Sequence, residues 1–277
     1  MKSKPVLLLD KFSLANEGEL LNLELHTGDV YAVMGKAGSG KTLFLDTIMG
    51  DEKPACGTAE LQGAALMASF STGKARQTPF GVAKASASSK NKRRIADALA
   101  ALGLWDARNV ALGKLTQGMV VACDLLPVLL SDSDLVLIDG HLDLLDPWAL
   151  DGAFEEIFLL AEEGTAFIIV TNRPELAERV GNLIVLKEGQ VKYAGRADAL
   201  ARSLEPTEII VEADDLSTVT TMVEPFVTSV RVSGRRLVLQ AEEGQEVAAR
   251  LLTAGYGVVK SVVIKEPSLE EALLHIG

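Results

Sequence analysis

The chain has 277 residues, 48% of them hydrophobic, with 27 Lys and Arg against 38 Asp and Glu. That length holds one large or two ordinary domains, and the apolar share is ample for a packed core. A net charge of −11 argues against a generic nucleic-acid binder, which carries a basic face, so no nucleic-acid partner is expected.

Two cysteines, Cys56 and Cys123, show no metal or CxxC spacing and are read as reduced, buried small hydrophobes. Met1-Lys2-Ser3-Lys4 leads into a short apolar run ended by Asp10, so no signal peptide is expected. The longest apolar stretch, 119–130, is interrupted by Asp124 and Pro127, so no membrane span is expected either.

In chain order, residues 5–9, 20–25 and 30–34 are predicted strands. The third feeds Gly35-Lys36-Ala37-Gly38-Ser39-Gly40-Lys41-Thr42, which fits the phosphate-binding loop G-x-x-x-x-G-K-[ST]. Residues 42–49 then show helical spacing, with Gly50 as C-cap. The strand–loop–helix context is what this motif requires. Its glycines let backbone N–H groups curl round a phosphate, and the helix N-terminus adds positive potential. Lys41 is expected to reach the β- and γ-phosphates of a nucleotide, and the Thr42 hydroxyl to ligate Mg²⁺.

Residues 57–63 and 64–70 are predicted strands, and 71–92 a long exposed loop. Lys74, Arg76, Lys84, Lys90, Lys92, Arg93 and Arg94 make it the one basic stretch of an acidic chain, read as a solvated surface, with a membrane-headgroup or partner contact as the alternative. Helices are predicted over 92–104 and over 118–130, the latter bent at Pro127. Residues 134–139 form an apolar strand closed by Asp139, whose carboxylate is the expected second magnesium ligand. A helix begins at Pro147, followed by a buried strand at 165–170, a helix from Pro174, a strand at 183–186 and a hairpin turn at 187–190. Continuous apolar strands alternating with helices indicate an α/β protein with a sheet covered on both faces.

After about residue 204 the pattern becomes βαββαβ plus a tail helix, with Ser268 and Glu271 as a capping box. That order describes a small α+β module of ferredoxin-like type, read as a binding or dimerisation appendix. The domains are accordingly placed at 1–204 and 205–277.

In this order the motifs resemble the nucleotide-binding subunit of ATP-binding cassette (ABC) transporters, over roughly residues 5–200. Leu115-Thr116-Gln117-Gly118-Met119 stands where the family's LSGGQ signature stands. Asp143-Leu144-Leu145-Asp146-Pro147 resembles the D-loop, with Asp146 its aspartate. The tail is similar to that of bacterial exporter subunits of the drug and polysaccharide type. The resemblance implies a P-loop NTPase fold of ABC type with a mixed sheet, and a helical subdomain over about 72–131. It also implies an aromatic residue that stacks adenine, for which Phe12 is the candidate, with burial in the core as the alternative.

Several positions depart from the family pattern. Gly140 replaces the general-base glutamate, and Asn172 replaces the switch histidine. Gln117 and Met119 replace a Gly and a Gln of the signature. The glutamine expected after the 64–70 strand is missing, with Thr72 nearby and Gln77 the nearest candidate. His141 replaces a proline and is read as a surface or turn residue. A glycine can neither orient nor deprotonate water, so the site is expected to bind Mg-ATP and hydrolyse it poorly.

The resemblance further implies a partner permease in the membrane, docked near residues 70–95, and a second cassette subunit, identical or different. The expected location is the cytoplasmic face of a bacterial membrane. Two other readings stay open at this level: an ATP-gated structural or regulatory protein without transport, and an ATPase with an unconventional base such as Asp143 or His141.

Overall fold

The computed structural model describes residues 4–70, 75–87, 91–204, 206–255 and 257–276. The chain divides into two compact units, Met1–Gly195 and Arg196–Gly277.

The first unit begins with β1 (Pro5–Ser13), β2 (Leu21–His26), β3 (Val30–Met34), α1 (Lys41–Met49), β4 (Cys56–Leu61) and β5 (Ala65–Met67). Helices α2 (Pro79–Ser86), α3 (Ile95–Ala101) and α4 (Gln117–Leu129) follow. Then come β6 (Leu135–Asp139), α5 (Pro147–Glu162), β7 (Ala166–Val170), α6 (Pro174–Val180), β8 (Asn182–Lys187) and β9 (Gln190–Arg196). Strands β2, β1 and β4 form an antiparallel sheet. A six-stranded sheet has the order β5-β6-β7-β3-β8-β9. Its pairings from β5 through β8 are parallel, and β9 returns as a hairpin across Glu188 and Gly189, both at positive φ as a primed turn requires.

Why the central strands read as unbroken apolar runs is visible in their two faces. Val136, Ile138, Phe167 and Ile169 enter one core with α2 to α5. Leu135, Leu137, Ala166, Ile168 and Val170 enter another with β1, β2 and α1. Both faces are covered, so neither parity can be polar.

The stretch read as a loop at 71–92 contains α2, a correction. Thr78 accepts a hydrogen bond from the Gly81 nitrogen at 3.1 Å, and Pro79 fills the first turn, where no N–H is needed. The short helix presents one narrow apolar face, with Ala83 buried, too little for its pattern to stand out among Ser, Lys and Ala. Thr72, Lys74 and Lys90 lie outside the described residues. Arg94 is no solvated charge: it bridges Glu156 at 2.6 Å and Glu163 at 3.4 Å on α5. The predicted 92–104 helix is a 3₁₀ turn at Asn91–Arg94 followed by α3, and the predicted 64–70 strand ends at Met67. Cys123 is buried, and Cys56 is only half-buried.

The second unit contains α7 (Ala197–Leu204), β10 (Thr207–Ala213), α8 (Leu216–Val223), β11 (Ser229–Ser233), β12 (Arg236–Ala241), α9 (Gly244–Ala254), β13 (Val259–Lys265) and α10 (Leu269–Ile276). Helix α7 packs on α10, which is why the division falls at 195/196 where the sequence texture changes only near 204. The sheet order is β11-β12-β10-β13, antiparallel throughout. Ile209, Val211, Leu237 and Leu239 meet Val219, Val247 and Leu251 from α8 and α9 in a separate core. Asp215 caps α8, and its carboxyl is held at about 2 by bonds from Thr218 and Ser217. The Ser268 and Glu271 capping box forms as the spacing predicts, at 3.4 and 3.2 Å.

Candidate nucleotide-binding site

The candidate site lies where β3, β6 and β7 end. In parallel sheets the carboxyl ends of strands are where ligands gather. Residues 35–40 leave β3 and enter α1, with Gly40 at φ 99° as its N-cap residue. A side chain at Gly35 would lie 2.3 Å from the Leu186 carbonyl oxygen, so only glycine fits against β8. The β8–β9 turn braces the loop further: the Gly189 nitrogen donates to the Ser39 carbonyl at 2.9 Å.

Lys41 folds over this loop, its Nζ donating to the carbonyl oxygens of Gly35 at 2.5 Å and Lys36 at 3.0 Å. Burial lowers its pKa below the ordinary lysine value, while the charges of Asp139 and Asp143 act in the opposite sense. The Thr42 hydroxyl donates to the Asp139 carboxylate at 2.9 Å. Two hard oxygen donors thus adjoin beside an ammonium group. A donor set of this kind fits Mg²⁺, which takes few carboxylates and completes its shell with water and phosphate oxygens.

Gly140 sits at φ 69°, its nitrogen bonded to the Val170 carbonyl at 3.1 Å. A Cβ there would meet nothing within 4 Å, so space for a side chain exists and only the left-handed backbone opposes one. Asp143 has a role that sequence reasoning missed. It accepts from the Thr171 hydroxyl at 2.5 Å and from the Asn172 nitrogen at 2.9 Å, tying the loop after β6 to the loop after β7. No local pattern announces a bond between residues 28 apart. Asn172 is exposed beside that clasp.

For two residues one of the two sequence alternatives falls away. Phe12 is fully buried and meets Phe44 edge-on, with centroids 5.6 Å apart, so it offers no face to an adenine and is a core residue. His141 is buried, not on the surface; its ring stacks on Phe70 at 3.9 Å and its Nδ1 lies 3.0 Å from the Asp139 carbonyl. Burial lowers its pKa below the ordinary histidine value.

The signature-like segment leads into α4. Thr116 caps that helix by accepting from the Met119 nitrogen at 3.3 Å, Gln117 takes its first position, and Leu115 precedes the cap half-buried. Gly118 lies near the segment that resembles the D-loop: a Cβ on it would be 3.7 Å from the Leu144 carbonyl oxygen. Asp146 caps α5, accepting at 3.0 Å from both Trp148 and Ala149 nitrogens. Gln77 contributes its carbonyl oxygen to the Leu112 nitrogen at 2.8 Å. Among the described residues no further cluster of His, Cys, Asp and Glu has the makings of a metal site.

Residues 19–142 match the ABC transporter family model. The chain is 26% identical over 278 residues to the Nod factor export ATP-binding protein I of Cupriavidus pinatubonensis, covering 92% of this chain and 84% of that protein. It is also 26% identical, over 64% of its length and 81% of the relative's, to a probable amino-acid ABC transporter ATP-binding protein of Haemophilus influenzae. Among solved structures, an ABC transporter ATP-binding subunit superposes with a TM-score of 0.62 at 19% identity, covering 72% of this chain and 92% of that one. A member of the cbiONQ transporter complex of Clostridium perfringens gives 0.57 at 17% identity, covering 69% and 88%. The α/β fold is that of the P-loop ABC ATPases. The chain carries an ABC transporter ATP-binding domain, homologous to the Nod factor export protein and other ABC ATPases. Among the described residues no helix is long and apolar enough to cross a membrane.

Proposed function

We propose that this chain is an ABC transporter subunit that binds Mg-ATP firmly and hydrolyses it poorly. The observation that carries this reading is the contrast between Asp139 and its neighbour Gly140. Asp139 adjoins Thr42 and the Lys41 charge, which supports binding of the metal and the triphosphate. When bound, Mg²⁺ would bridge and neutralise phosphate oxygens, with Thr42 and Asp139 holding it. Gly140 supplies no group to receive a proton from water.

Of the candidate substitutes, Asp143 is engaged in its clasp and His141 is buried away from solvent. Both Asp143 oxygens are engaged by Thr171 and Asn172, and His141 is stacked beneath Phe70. Asn172 can donate a hydrogen bond to a γ-phosphate but brings no charge. Ligand energy then goes into closing the site around ATP rather than splitting it.

In this reading the first unit docks near residues 70–95 on a membrane permease and pairs with a second cassette subunit at the cytoplasmic face of the membrane. Support comes from the homology to a protein named for export. The second unit is read as a ferredoxin-like accessory domain, supported by its strand order and its own core. The test is parallel titration and turnover: Mg-ATP binding by calorimetry and phosphate release by the same sample. Binding with turnover near that of Lys41→Ala supports the reading. Turnover at an ordinary enzymatic rate, lost in Lys41→Ala, refutes it.

A further inference from the structure

Gly140 directly follows the carboxylate of Asp139, and glycine restrains its neighbours less than any other residue. Its φ of 69° lies in the left-handed region, and a Cβ on it would touch nothing within 4 Å. Across this loose joint runs a side-chain bond. The His141 Nδ1 lies 3.0 Å from the Asp139 carbonyl oxygen. A carbonyl oxygen only accepts, so Nδ1 carries the ring proton. That is the ring's one hydrogen bond among the described residues, since Nε2 is buried with no partner. The side chain is 1% exposed and lies flat under Phe70, with centroids 3.9 Å apart and planes within 5°. Phe70 follows a stretch tied to β6, where the Ala68 nitrogen donates to the Leu137 carbonyl at 2.8 Å. The lid over the ring is thus anchored to the strand that ends in Asp139. An apolar side chain of similar size would fill this space without burying an unsatisfied nitrogen, which costs stability. The imidazole is therefore accounted for by the bond it makes and not by packing.

We propose that His141 is a positioning residue: its ring is held by Phe70, and its Nδ1–H spans Gly140, fixes the peptide between Asp139 and Gly140 and keeps the Asp139 carboxylate turned toward Thr42. This rests on the functional reading in which Thr42 and Asp139 hold the magnesium of Mg-ATP. The contact that the clamp protects is the 2.9 Å bond between the Thr42 hydroxyl and Asp139. Without it, rotation on either side of that peptide lets the strand end waver, and each excursion takes the carboxylate off its partner. Donors held in place beforehand need no ordering when the ligand arrives. The clamp leaves Lys41 and the loop at 35–40 alone, so it governs the magnesium-dependent share of affinity and not the rest.

The experiment measures ATP affinity of the full chain by calorimetry, with magnesium and with excess chelator. The ratio of the two is the magnesium enhancement. His141→Leu should lower that enhancement by roughly 3- to 10-fold, the worth of one hydrogen bond, while affinity without magnesium holds. His141→Asn, whose amide can donate from the place of Nδ1, should restore most of it. A merely structural residue would lower both affinities together and would not separate Asn from Leu. Ring nitrogen resonances give the second readout. The chain has three histidines, so the His141 signals are assigned by their loss in the variant. They should show a neutral ring protonated at Nδ1, and Phe70→Leu should shift its ring protons as the stacking is lost. Should His141→Leu fail to fold, Phe70→Leu takes its place in the affinity comparison. Native magnesium enhancement in the Leu variant overturns the inference, as does an Asn variant no better than Leu, or a ring protonated at Nε2 alone. A chain without ATP affinity overturns the functional reading instead. Hydrogen exchange of the Gly140 amide then decides the clamp by itself: faster exchange in His141→Leu than in the native chain supports it, and equal exchange overturns it.

Discussion

The Thr42 hydroxyl donates a hydrogen bond to the Asp139 carboxylate at 2.9 Å, although the two residues stand 97 apart in the chain. The contact joins the helix after β3 to the end of β6, two strands away in the sheet. It brings together the two oxygen donors to which the proposed function assigns a magnesium ion.

Thr42→Val and Asp139→Asn should therefore weaken the dependence of ATP binding on Mg²⁺ while leaving the fold intact. Each removes one charge-assisted or metal-facing contact, worth about 1–3 kcal/mol, or roughly 5- to 150-fold in affinity. Calorimetric titration at several magnesium concentrations reads the effect. Unchanged magnesium dependence in both variants would remove these residues from the metal site.

Gly140 sets up a prediction about repair. Its φ of 69° lies in the left-handed region, so Gly140→Glu should lose about 1–2 kcal/mol of stability in urea unfolding, from backbone strain alone. Steric conflict adds nothing, because the new Cβ meets no atom within 4 Å. Combined with Asn172→His, the change should raise turnover by about 10²- to 10⁴-fold, the usual contribution of a general base. No gain in the double variant would mean that more than these two side chains is missing.

Asp143 holds the Thr171 hydroxyl, which is fully buried. Asp143→Ala strands that hydroxyl and should cost about 1–3 kcal/mol of stability. Asp143→Asn keeps an acceptor oxygen and should cost less. Equal stability of all three forms in denaturant titration would show the clasp to be idle.

His141 gives the fold an acid sensitivity with a definite sign. Its folded-state pKa lies below the ordinary 6.5 because burial penalises the charged ring. The unfolded chain then binds the extra proton first, so stability rises with pH through this window. The contribution is complete above about 6.5 and is lost as the pH falls toward the lowered value. Thermal unfolding at stepped pH should show this slope, and His141→Gln should flatten it. An unchanged slope in the variant would assign the acid sensitivity elsewhere.

Much of this was legible in the residues. The phosphate loop announces itself because its glycines, Lys41 and Thr42 are fixed by chemistry at fixed spacing. The place of Asp139 at a strand end followed from the apolar run it closes. Buried parallel strands such as β6 and β7 carry no polar parity and are hard to misread. The failures have common causes. Helix α2 is too short to show a period. Phe12 belongs to the core because β1 packs on α1, and nothing local to Phe12 reveals that face. His141 and Asp143 depend on Phe70 and Thr171, contacts that only the folded chain brings together.

The most direct measurement sets binding against chemistry in one preparation: Mg-ATP affinity by calorimetry and phosphate release by the purified chain. The account predicts saturable binding that Lys41→Ala abolishes, with release scarcely above that variant's background. Saturable binding accompanied by brisk, Lys41-dependent hydrolysis would contradict it, and so would the absence of any binding.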